Sequence, residues 1–120
     1  MMDAEKLRQS GIDFDSGVRR FVGDRELYET VLKAFLNDTL LERASAAFDQ
    51  NDRQALLSAV HELKGASGNS DMTELFSACC RLLVLLRSSD CSLEQIAVGF
   101  ECLKRAYLLA QEGIRAALSV

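Results

Sequence analysis

His61 is the only histidine in 120 residues. It opens the stretch His61-Glu62-Leu63-Lys64-Gly65-Ala66-Ser67-Gly68. On a helix turning about 100° per residue, His61, Lys64, Gly65 and Gly68 fall at i, i+3, i+4 and i+7 and share one face. That face carries a nucleophile, a cation and two residues without side chains. Leu56, Ala59, Val60, Leu63 and Ser67 fall on the other side and form a core stripe. Two glycines inside a helix cost about 1 kcal/mol each relative to alanine, so a sequence needing only a helix would not choose them. Beside the ring they clear room for something bulky, either another protein's backbone or a group carried by the imidazole. Lys64 can place a positive charge near that group. Imidazole keeps a free nitrogen lone pair over much of the neutral range, so an exposed ring can act as a nucleophile without burial to set its charge. The pattern is that of a histidine prepared to receive an anion.

His61-x-Leu63-Lys64-Gly65-Ala66-Ser67-Gly68-Asn69 resembles the signature of histidine-containing phosphotransfer (HPt) domains. The stretch from Gly11 to Tyr28, Gly-Ile-Asp-Phe-Asp-Ser-Gly-Val-Arg-Arg-Phe-Val-Gly-Asp-Arg-Glu-Leu-Tyr, is similar to the opening of bacterial HPt domains. The resemblance runs from about residue 11 into the last helix. It departs at Ser70 and Asp71, where the family often has an apolar residue and then glycine; Asp71-Met72-Thr73-Glu74 offers a capping box with aspartate in the leading place. The resemblance implies a phosphorelay function: Nε2 of His61 takes a phosphoryl group from an aspartate on a response-regulator receiver domain and returns it to one. It also implies that the receiver supplies the Mg²⁺ and that a hybrid sensor histidine kinase is a partner.

Phosphoryl transfer depends on in-line positioning and charge neutralisation. Lys64 is placed to stabilise the phosphoryl oxygens as a point charge. Gly65 and Gly68 let a partner's loops reach the ring. Leu57, about 40° round the helix from His61, is either an apolar anchor for docking or a residue at the edge of the core. Ser58 and Gln54 flank the same face and can hydrogen-bond to a partner or to the phosphate. No acidic cluster surrounds His61, and Glu62 points about 100° away, so no metal or other cofactor is expected on this chain. With one reactive group and no second catalytic residue, the chain reads as a phosphocarrier and not as an enzyme. The alternative is a bundle that is never phosphorylated and serves to dock or dimerise signalling proteins. A lone surface histidine would fit that alternative; His61, Lys64 and the two glycines on one face favour the carrier.

Composition narrows the field. The chain is of single-domain length and 48% hydrophobic, with a formal charge of −4 and a pI near 5.0. An acidic balance argues against a nucleic-acid module, and no apolar run approaches the roughly 20 residues that span a bilayer. The first residues, Met1-Met2-Asp3-Ala4-Glu5-Lys6, show no signal-peptide pattern. The expectation is a cytoplasmic, monomeric protein or one domain of a larger cytoplasmic one. Cys79, Cys80, Cys91 and Cys102 lack metal-ligand spacing and read as reduced thiols.

The histidine must be carried by helices. There is no proline and no period-2 alternation. The reading is all-α: an antiparallel up-down-up-down four-helix bundle over about 24–118, with a short N-terminal helical cap over about 3–23, in one domain spanning 1–120. Residues 3–10 read as a short helix or a frayed tail. Asp13 or Asp15 caps a second short helix that stops at Gly23. One helix is expected from Asp24 to about Gln50, on a stripe of Tyr28, Val31, Leu32, Phe35, Leu36, Leu40, Ala44, Ala47 and Phe48. The His61 helix covers about 53–68. The next covers about 72–88, where Val84 and Leu85 widen the apolar stripe and imply cover on more than one side. Ser92 and Gln95 form a capping box for the last helix, about 93–118, with Leu93, Ile96, Phe100, Leu103, Tyr107, Ala110, Ile114 and Ala117 inward.

Overall fold

The computed structural model describes residues 1–118; residues 119 and 120, the end of the expected domain, lie outside the described residues. Among the described residues the chain is all-helical. Two short helices, α1 (Ala4–Gln9) and α2 (Phe14–Arg20), precede α3 (Arg25–Ala34). A 3-10 turn (Phe35–Asn37) leads into α4 (Leu40–Asp49), and α5 (Arg53–Asn69), α6 (Thr73–Arg87) and α7 (Leu93–Leu118) follow. α5 packs between α4 and α6, and α6 against α7. The molecule is elongated, 45 × 25 × 19 Å.

Short polar side chains set most helix starts. Asp3, Asp13, Asp24 and Asp52 each accept from backbone N–H groups in the first turn of α1, α2, α3 and α5. Ser92 and Gln95 make the reciprocal box: Ser92 N–H donates to Gln95 Oε1 (2.9 Å) and Gln95 N–H to Ser92 Oγ (3.1 Å). Gly23, at φ +81°, closes the turn after α2.

The single helix expected over 24–50 is instead two helices, broken at 35–39. The broken ends are held by α7. Gln111 Nε2–H donates to the Phe35 carbonyl (3.2 Å), and the Tyr107 hydroxyl donates to the Asp38 carboxylate (2.7 Å). The same carboxylate accepts from Leu40 N–H (2.9 Å) and so starts α4. The apolar period runs on through the break because Phe35, Ala44 and Ala47 still reach one core.

Residues 3–10 are a docked helix and not a frayed tail. Leu7 is fully buried, Asp3 N–H donates to the Ala117 carbonyl (3.1 Å), and Ser10 occupies the space beside Gly113 where a Cβ would sit. On α6, Leu82, Leu83 and Leu86 are buried as expected, but Val84 is 70% exposed, so that helix is not covered on the Val84 side. Leu85 fits against Gly99, whose missing side chain lets α7 approach. Leu93, placed inward by its period, is exposed at the start of α7, ahead of the first packed turn.

Candidate functional site

The core stripe of α5 is buried as its spacing requires: Leu56, Ala59, Val60, Leu63 and Ser67. Burying that face fixes the rotation of the helix and leaves the opposite face outward. His61, Gln54, Ser58 and Gly65 are exposed there, while Leu57, Lys64 and Gly68 are half-buried at its edge. All seven candidate residues therefore lie on one surface. A hollow of about 540 Å³ between the end of α4, the start of α5 and the α6–α7 loop is lined by none of them.

The two edges of the face differ. On the α4 side, Glu62 meets Arg43 of α4 in an ion pair (Nη2–Oε2 2.6 Å). Ser58 lines a shallow groove there with Arg43, Ala46, Gln50 and Ala55. On the α6 side, the Phe76 ring lies over Gly68, so that a Cβ on Gly68 would stand 3.0 Å from two ring carbons. Phe76 thus fills the room beside Gly68. Gly65 differs: a Cβ there would meet nothing within 4 Å, and its surface is open beside the ring. Leu57 packs against the core and is not a free apolar knob.

Lys64 is half-buried at the edge of the face that also carries Gly68. Burial pushes the Cys79 thiol up to about 12, with Cys80 adding to it and the Ser67 hydrogen bond and Lys64 charge acting the other way. Cys79 is therefore a protonated thiol in the core at neutral pH. Among the described residues, no group of three or more His, Cys, Asp and Glu side chains is gathered as a metal site needs.

The turn that ends α5 is built differently from the sequence expectation. Asp71 does not cap α6. Met72 stands at that position, without a side-chain cap, and Glu74 N–H and the Thr73 hydroxyl donate to the Gly11 carbonyl instead (3.2 and 3.1 Å). Asp71 sits at φ +55°, a left-handed conformation that aspartate adopts more readily than most residues. Its side chain, 7% exposed, turns inward and accepts from Arg20 Nε–H (2.8 Å) and the Ser16 hydroxyl (2.8 Å). Burial raises the Asp71 pKa, but these donors and the Arg20 charge outweigh burial and hold it below the ordinary aspartate value. The Tyr28 hydroxyl donates to the Ser70 carbonyl (2.7 Å) from beneath. α2 and α3 together clamp the turn at the end of the histidine helix.

Sequence reasoning missed Arg43 and Phe76 at the margins of the face and Arg20 and Ser16 behind the turn. Arg43 and Phe76 come from neighbouring helices, and interhelical register leaves no periodic mark. The pair at the turn left one signal: an acidic residue in place of a glycine that the motif would carry.

Comparison with known proteins agrees with this geometry. The family model described as "Hpt domain" matches residues 31–116. The chain is 35% identical over 81 residues to the sensor histidine kinase GacS of Pseudomonas protegens; the match takes in 66% of this chain and 9% of that kinase. The fold is similar to the crystal structure of the HPT domain of an Hpt sensor hybrid histidine kinase from Shewanella, with a TM-score of 0.78 and 21% identity, over 92% of this chain and 95% of that one. A family model that spans the histidine helix and the helices packed on it leads to one conclusion: the chain belongs to the Hpt domain family, whose role is histidine phosphotransfer in a phosphorelay.

Proposed function

We propose that His61 is the residue that carries the phosphoryl group. The observation that supports this most is the rotation of α5. Its core stripe is buried, and His61 is left exposed on a face where Gly65 keeps the approach open. A neutral ring attacks in line through Nε2. The nitrogen lone pair forms the P–N bond, the P–O bond to the donor aspartate breaks, and its electron pair leaves on the carboxylate. The reverse step returns the group. Lys64 neutralises charge on the phosphoryl oxygens, and Gly65, Ser58 and Gln54 form the docking surface, with Leu57 and Gly68 at its half-buried edge.

In this reading the chain is a phosphocarrier, and the transfer is completed by the partner. That partner is a response-regulator receiver domain, which brings the aspartate and Mg²⁺; a hybrid sensor histidine kinase stands upstream. No cofactor, nucleic acid or membrane takes part. Among the described residues no helix is long and apolar enough to cross a membrane, and the reading is of a cytoplasmic monomer. The architecture is read as one domain: four helical rods in an up-down-up-down bundle, with α3 and α4 forming the first, and residues 3–23 as its cap.

A second reading has a specific observation behind it. Val84, Leu93 and Val98 are 63–71% exposed, and apolar surplus of that kind suits a dimerising bundle. One experiment separates the two. The protein is mixed with a phosphorylated receiver domain and Mg²⁺, and acid-labile, base-stable phosphate is sought on the chain. Labelling of the wild type and none of His61→Gln supports the carrier. Binding or dimerisation without labelling supports the second reading.

A further inference from the structure

We propose that Arg43 is a second phosphate-binding cation of the histidine site, held by Glu62 until a phosphoryl group arrives. The inference rests on the reading that His61 carries that group.

Arg43 belongs to α4 but reaches across to α5, where it pairs with Glu62, the residue next to His61 in the chain. Neighbouring Cα atoms are about 3.8 Å apart. Arg43 also lines the groove beside Ser58, which lies one turn before His61 on the same face. The side chain is thus bracketed by residues 58 and 62, which places it at the level of the histidine on the α4 side. Helical spacing puts Lys64 on the other side of His61 from Glu62, at the edge where Gly68 lies under Phe76 of α6. Between them the space at Gly65 is open. A phosphoryl group on the ring would therefore sit between two cations from different helices.

The pair is suited to exchange. Both side chains are about half exposed, 52% and 54%, and an ion pair in water holds its partners weakly. A phosphoryl group offers the guanidinium two charges and three oxygens, against one charge and two oxygens on Glu62. The planar fork of arginine matches phosphate geometry better than a point charge does. Glu62 has two effects in this arrangement. It keeps Arg43 at the site in the free protein, and it competes for Arg43 in the phosphorylated one.

The test is the equilibrium constant for transfer between a phosphorylated receiver domain and this chain, measured from both directions in dilute protein. Arg43→Ala is expected to shift it away from the phosphorylated chain by about fivefold. Glu62→Gln, which frees Arg43, is expected to shift it toward the phosphorylated chain by roughly the same factor. In the Arg43→Ala background, Glu62→Gln is expected to have little effect. Arg43→Lys is expected to fall between wild type and Arg43→Ala. A simple interhelical staple predicts that Arg43→Ala and Glu62→Gln act alike, and that result would overturn the proposal. So would an unchanged equilibrium with altered rates, which marks a residue that only docks the receiver, because docking speeds both directions equally. A full Glu62→Gln effect without Arg43 would show direct repulsion by Glu62 and also overturn it. If Arg43→Ala does not fold, Arg43→Gln takes its place, alone and with Glu62→Gln. A wild-type chain that takes no phosphate refutes the carrier reading itself, whereas a labelled wild type with indifferent variants refutes only the role of Arg43.

Discussion

At the residue scale, His61 has the free space and Lys64 the charge. Lys64→Ala is expected to slow phosphoryl transfer to His61 by about tenfold while leaving the fold intact, because the side chain is only half-buried at the edge of the face. Rapid-quench labelling with a phosphorylated receiver checks it. Asp71 makes a different prediction. Its pKa is held below the ordinary aspartate value in the folded chain, so its contribution to stability is present above the ordinary value of about 4. That contribution is lost as pH falls through the lower folded value. Glu29, lowered by Arg25 against its own burial, has the same sign. Asp71→Asn can keep the left-handed turn but loses the charge paired with Arg20. Its unfolding midpoint should be lower than wild type at neutral pH, and the gap should narrow as pH drops below about 4. Equal midpoints at neutral pH would contradict this account of the turn. The spacing of His61, Lys64 and Gly65 was legible because all three lie on one helix and local geometry alone brings them together. Arg20, Ser16 and Arg43 were not, because each reaches the site across a gap of 18 or more positions in the sequence.

At the scale of elements, α5 is fixed at its start by the Asp52 cap and at its end by neighbouring helices. Tyr28 on α3 is the main support beneath its end: it is fully buried, stacked on Phe21 with ring centroids 5.5 Å apart, and bonded to Ser70. Gly17 makes room for this ring, and a Cβ there would lie 2.0 Å from it. Gly17→Ala should therefore destabilise the protein by about 1–3 kcal/mol through overpacking, measured by denaturant unfolding; a neutral result would mean that α2 moves freely away from α3. Helices α5 and α7 were legible from apolar period and caps, and α6 from its apolar period alone, within a residue or two at each end. The break between α3 and α4 was not. Its apolar period is continuous, and what stabilises the open backbone comes from Tyr107 and Gln111 of α7. The marker in the sequence is Asn37-Asp38-Thr39, a run of helix-starting residues inside a helical pattern.

For the whole molecule, the N-terminal segment is part of the core. Met2, Leu7, Ile12 and Phe14 are all buried, and the backbone of Gly11 accepts the bonds that start α6. Leu7→Ala is expected to cost about 2–5 kcal/mol despite lying over 50 positions from His61. Thermal unfolding should show the loss in one transition; a separate early transition would mean that α1 is an independent appendage. For Leu7 the sequence left open whether it docked, because a six-residue helix has too little period to reveal its partner. In the proposed function the face that meets a receiver is the one that carries His61, which the burial of the α5 core stripe turns outward. The measurement that tests this most directly is mapping of the phosphate by mass spectrometry under non-acidic conditions, after transfer from a phosphorylated receiver. The account predicts a single phosphorylated residue, His61. Phosphate on any other residue, or none on the chain, would contradict it.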